Sequence, residues 1–117
     1  MKKVGDMVHP WYKGNHEWEV KDIAELKQPI EYPDSEQGEV RYDPKIMLLE
    51  SKKVGKVLWF TYWIATDKTT GKLKWGQGPP MLEERVLLEL IKDAIKKKIF
   101  SKAFLEGLNN ELKTVLR

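Results

Sequence analysis

The chain has 117 residues, 41% of them hydrophobic and 33% charged, with a formal charge of +3. That is one domain with enough apolar material for its own core, well outside the disordered range of low hydrophobicity and high net charge. There is no cysteine, which excludes disulfide frameworks, thiolate metal sites and cysteine nucleophiles. No apolar run approaches the ~20 residues that span a bilayer, and Met1-Lys2-Lys3-Val4-Gly5-Asp6 lacks the apolar stretch of a secretory signal, so the expectation is a cytoplasmic protein with no membrane partner.

The charge is unevenly divided. Residues 1–55 hold 9 basic and 11 acidic groups, residues 56–117 hold 12 and 7, and three of the five tryptophans lie in the basic half. The excess of Lys over Arg, the abundant Glu and the confinement of Ser to Ser35, Ser51 and Ser101 are compatible with a heat-loving source. Residues 9–18, rich in aromatics and turn formers, have neither a strand nor a helix period and read as an ordered loop. Residues 1–38 as a whole read as an irregular, aromatic N-terminal segment, with a short helix at about 21–27 and turns around 32–38. From Glu17 to Asp43, nine carboxylates face Lys21, Lys27 and Arg41, a poor surface for a polyanion.

Residues 39–76 read as antiparallel sheet. Glu39 to Ser51 is a strand interrupted at Asp43-Pro44, because proline cannot donate to a ladder; residues 45–51 are its cleaner half. Residues 57–66, dense in β-branched and aromatic types on both faces, form the strongest strand and are expected to be central and covered on each side. Asp67 to Gly71 is turn chemistry with a glycine for positive φ, and residues 72–76 return as the partner strand. Gly76-Gln77-Gly78-Pro79-Pro80 ends the sheet.

The remainder, 83–117, reads as helical. In 83–99, Leu87, Leu90, Ile91, Ala94 and Ile95 make one stripe, with Glu83 and Glu84 at the positive end of the dipole and Lys96, Lys97 and Lys98 at the negative end. Ser101 is a candidate cap for a second helix, 102–117, in which Leu105, Leu108, Leu112 and Val115 step by 3, 4 and 3 residues. That seam is either packed on its own domain or pairs two copies.

Enzyme chemistry has little to stand on. The only imidazoles are His9 and His16, and there is no His-Glu-X-X-His helix, phosphate loop or Gly-X-Ser-X-Gly elbow. His16 as base with Glu17 as acid could serve a small RNase, and no metal site or cofactor is expected. The stronger constellation interleaves aromatics with cations: Trp59, Tyr62 and Trp63 on the strong strand, Trp75 on its partner, and Lys72, Lys74 and Arg85 near them. Bases stack on such rings at ~1–3 kcal/mol each, while the cations follow the phosphates.

Hairpin register decides which rings face out. A loop of Thr69-Thr70-Gly71 with a bulge puts Leu73 and Trp75 with Trp59 and Trp63, and Lys72 and Lys74 with Phe60 and Tyr62. A loop one residue longer exchanges the sets. Lys92, Lys96, Lys97, Lys98 and Lys102 form the densest positive patch, either a solvated face or a backbone track.

Trp59-Phe60-Thr61-Tyr62-Trp63 in a meander, Lys72-Leu73-Lys74-Trp75, then Gly78-Pro79-Pro80-Met81-Leu82 leading into a helix and a leucine-spaced C-terminus resemble the archaeal ThermoDBP-related single-stranded DNA-binding proteins over residues 40–117. The resemblance implies a small antiparallel sheet flanked by helices, an apolar cleft edged with basic residues that takes single strands with little sequence preference, and dimerisation through the C-terminal helix. It maps onto Trp59, Tyr62, Trp63, Lys72, Lys74, Trp75 and Arg85.

The expected fold is therefore α+β: one domain with a three- or four-stranded antiparallel sheet on 45–51, 57–66 and 72–76, covered on one face by the helix 83–99 and followed by a second helix. The expected function is non-catalytic binding of single-stranded DNA, ahead of RNA, by a homodimer. The alternatives are a homo-oligomeric scaffold with every aromatic in the core, and the RNase.

Overall fold

A computed structural model describes residues 1–10, 17–35, 38–66, 69–76 and 80–116. The fold is α+β, as expected, with more strands than expected. Six strands form one antiparallel sheet: β1 (Met7–Val8), β2 (Trp18–Glu25), β3 (Ile30–Ser35), β4 (Gly38–Ser51), β5 (Gly55–Ala65) and β6 (Lys74–Trp75), followed by α1 (Glu84–Lys96) and α2 (Lys102–Val115). The spatial order is β1-β2-β4-β5-β6, with β3 also paired to β4.

Three strands thus lie in the segment read as irregular, and the helix expected at 21–27 is the second half of β2. The spacing of Val20, Ile23 and Ala24 imitates a helical face. In the structure the ladder shifts register between Val20 and Asp22, and this bulge lets Val20 and Ile23, three apart, point to the same side.

Nor is β4 broken at Pro44. Its residues 38–42 pair with β3 and its residues 45–50 with β2, while β5 runs along the whole of 41–51. Pro44 sits where one neighbour hands over to the other, so its missing N–H removes no ladder bond on that edge.

Pairing places Ile46 opposite Phe60 and Leu48 opposite Leu58 on one face, and Met47 opposite Trp59 and Leu49 opposite Val57 on the other. Two cores result. On the second face Val8, Trp18, Val20, Ile23, Met47, Leu49 and Trp63 are buried together, with Trp59, Leu73 and Trp75 packed against them. On the first, Ala24 and Ile46 meet Leu90 and Ala94 of α1, and Ile99 and Phe100 beyond it. Helix α1 therefore covers β2 and β4. Strand β5 is next to the edge rather than central, and its Leu58 and Phe60 remain exposed.

Helix α1 ends earlier than its stripe suggests. Lys98 adopts φ 58° and the Ile99 N–H donates to the Ala94 carbonyl at 2.9 Å, which turns Ile99 and Phe100 back into the core. In α2 the Ser101 hydroxyl accepts the Phe104 N–H at 3.1 Å, the N-cap expected from the sequence. No residue of α2 is fully buried. The radius of gyration is 15.9 Å, above the ~13 Å of a compact chain this long. Among the described residues no helix is long and apolar enough to cross a membrane.

Two side chains tie the end of α1 to β2: Asp93, and Lys97, whose ammonium donates to the Ile23 carbonyl at 2.8 Å. The Asp93 carboxylate accepts the Glu25 N–H at 2.8 Å and the Lys97 ammonium at 2.9 Å. Burial works against its charge, but the Glu25 N–H and Lys97 outweigh it and hold the carboxyl below its ordinary value. With the folded value below the unfolded one, the contribution is present above about pH 4 and is lost as pH falls through the folded value. Asp93→Asn is expected to cost about 1–2 kcal/mol at neutral pH and less in acid, measured by urea unfolding at both; equal losses at the two pH values would refute the linkage.

Candidate nucleic-acid interface

The register of β5 with β6 settles which rings face outward. Trp63 pairs with Trp75 and Ile64 with Lys74, which divides the side chains between the faces as the shorter loop weighed above would, but the register differs from that loop's by two residues and the strand expected at 72–76 is reduced to Lys74–Trp75. Trp75 consequently joins the interior. Its ring lies 5.0 Å from Trp59 and 4.7 Å from Trp63, Trp63 is 3% exposed and Trp59 is half-buried against the same core. This corrects the expectation that Trp63 offers a stacking face; Trp59 and Trp75 stay half-buried on the same side. A strand that packs its bulkiest rings on the enclosed side gains most apolar burial from them.

The outward face is built from smaller rings. Phe60 is 44% exposed. Tyr62 is half-buried and packs on Tyr42 of β4 with centroids 4.9 Å apart. Gly76, whose N–H donates to the Tyr62 carbonyl at 2.7 Å, makes this pair possible, because a Cβ at Gly76 would overlap the Tyr62 ring. The glycine read as a sheet terminator is thus also the floor on which Tyr62 lies. Gly76→Ala is expected to push the ring off Tyr42 and to destabilise the fold by about 1–3 kcal/mol. An unchanged Tyr62 ring environment by NMR would refute this.

Cations frame the rings. Lys74 is exposed opposite Ile64, Lys56 is exposed at the other end of β5, and Lys72 is exposed just before β6; β5 from 56 to 64 spans about 26 Å. Arg85, at the start of α1, is exposed, and its ion pair to Glu83 at 3.4 Å lies in solvent, so that it contributes little to stability. Glu83 is the acidic counterweight on this side. It accepts the Tyr32 hydroxyl at 3.4 Å, while the Tyr42 hydroxyl accepts the Met81 N–H at 3.3 Å. Burial, with Glu83 adding to it, raises Tyr32, and burial also raises Tyr42. Both phenols therefore stay neutral at physiological pH and add no repulsion toward phosphate.

Of the residues named from the sequence, Tyr62 and Lys74 share one accessible face and Trp59, Trp63 and Trp75 lie on the other, while Lys72 is exposed just before β6 and Arg85 is exposed at the start of α1. Phe60, already grouped with Tyr62 by the alternation along β5, Lys56 of the same strand and Tyr42 of β4 complete the face; Tyr42 comes in only through its contact with Tyr62 across the β4–β5 pairing. Of the seam, Leu105 packs on the α1 core, whereas Leu108, Leu112 and Val115 are exposed, Val115 to 75%. For the RNase reading, Glu17 is exposed and His16 lies outside the described residues. Compared with known proteins, this chain matches no family model, no curated protein and no solved structure.

Proposed function

We propose that this protein binds single-stranded nucleic acid without catalysis, as a homodimer, with bases stacked on Phe60 and Tyr62 and phosphates held by Lys56, Lys72, Lys74 and Arg85. The observation that carries the reading is the placement of exposed Lys74 on the same face as exposed Phe60 and the Tyr42–Tyr62 pair. Rings offer every base a π-face, and the ammonium groups release counterions from the backbone, so sequence preference is small. The preference for DNA rests on the resemblance to the ThermoDBP-related proteins, which also leads to single strands. A homo-oligomeric scaffold is the second reading, favoured by the burial of Trp63 and the packing of half-buried Trp59 and Trp75 against it.

Anisotropy of a labelled oligothymidylate, titrated at two salt concentrations, separates the two. Tryptophan emission is a poor readout, because those rings face inward. Nucleic-acid binding predicts an affinity that falls as salt rises; no binding at low salt would leave the scaffold.

A further inference from the structure

Among the described residues the sheet ends in an open edge: β6 pairs there with Trp63 and Ile64, and the Tyr62 carbonyl takes the Gly76 N–H. Along Gly55–Thr61 no described residue bonds to the outer side of β5, although its inner side pairs with β4 without interruption. Natural edges of this length are protected by prolines, bulges or several charges. This one has no proline, an unbroken register and a single charge, Lys56. A row of N–H and C=O groups that no described residue bonds, flanked by Leu58 and Phe60, is built to receive another strand.

We propose that the strand it receives is β5 of a second copy, paired antiparallel about a two-fold axis at Leu58. The available stretch selects that register, since Leu58 is the midpoint of 55–61. Leu58 then meets its own copy, Lys56 lies opposite Phe60 of the other chain, and no like charges face each other. A two-fold axis normal to the sheet turns the same face of both copies the same way, so both α2 helices emerge on one side. Phe100, buried on that face, supports Phe104 at a centroid distance of 5.0 Å, and the stripe continues through Leu108, Leu112 and Val115 to Leu116. At the edge itself Leu58 and Phe60 are 39% and 44% exposed, so the pairing adds apolar burial to its main-chain bonds. The contact is isologous and closes at two chains.

This dimer deepens the proposed function by setting two Phe60–Tyr62 platforms in one row, but the pairing itself does not depend on nucleic acid. Sedimentation equilibrium is expected to give the mass of two chains. Leu58→Lys, at a side chain already 39% exposed, puts two ammonium groups on the axis and should weaken dimerisation by more than about tenfold. Amide exchange over residues 55–61 should slow as protein concentration rises, a readout that needs no variant. A single-chain mass at every concentration, an unchanged dimer in Leu58→Lys, or a dimer whose 55–61 amides exchange as fast as in the monomer would overturn the proposal. A dimer that passes these tests yet binds no oligonucleotide would refute the nucleic-acid reading alone.

Discussion

Lys45→Met is expected to lower the unfolding free energy by about 3–5 kcal/mol, because it strands a buried carboxylate. The Lys45 side chain is 4% exposed, and its ammonium lies 2.7 Å from Glu25 and 3.2 Å from Asp43, which is itself 6% exposed. The Trp63 ring is 5.9 Å away, so the cation sits against the tryptophan wall that encloses the second face. Glu25 is nearly half exposed and can turn to water when the lysine is removed; Asp43 cannot. The loss would be a large part of the 5–15 kcal/mol that holds a domain of this size together. Adding Asp43→Asn to Lys45→Met removes the stranded charge and should restore much of the stability. Urea unfolding of the single and double variants checks both statements, and a single variant within 1 kcal/mol of the natural protein would contradict the role given to the pair.

The second large effect is on binding. Phe60→Ala and Tyr62→Ala should each weaken oligonucleotide affinity by roughly 5- to 150-fold, the equivalent of ~1–3 kcal/mol per stacked base. Trp63→Phe should leave affinity nearly unchanged, since its ring faces the core. Lys74→Ala should lower affinity evenly across sequences and reduce the slope of log affinity against log salt by about one. Wild-type affinity in Phe60→Ala, with a sensitive Trp63→Phe, would place the ligand elsewhere. Because Phe60 is exposed, its removal costs the fold little, so a binding loss there reads as a lost contact rather than lost structure.

Much of the fold was legible from local signals. The density of β-branched and aromatic residues in 57–66 announces a strand, Ser101 announces a helix start, and the leucine spacing of 105–115 announces an amphipathic helix; each depends on neighbours a few residues away. What misled were positions where distant pairing overrides local pattern. The bulge after Val20 converts helical spacing into a strand face, and Pro44 is tolerated only because β3 ends and β2 begins beside it. Lys98 ends α1 inside an otherwise continuous stripe, since burying Ile99 and Phe100 gains more than another turn of helix.

By itself the chain determined its class and its ingredients: an α+β fold, a hairpin carrying aromatics and lysines, and a C-terminal helix with an apolar stripe. Those are properties of composition and short-range period. Only the tertiary structure decided that the three tryptophans of the basic half go inward and that Phe60, Tyr62 and Lys74 go outward. Side chains alternate along a strand, so a one-residue difference in hairpin register exchanges the two sets entirely. That no described residue bonds the outer side of β5 along 55–61 was likewise beyond the sequence, because an edge is defined by which strand lies beside it.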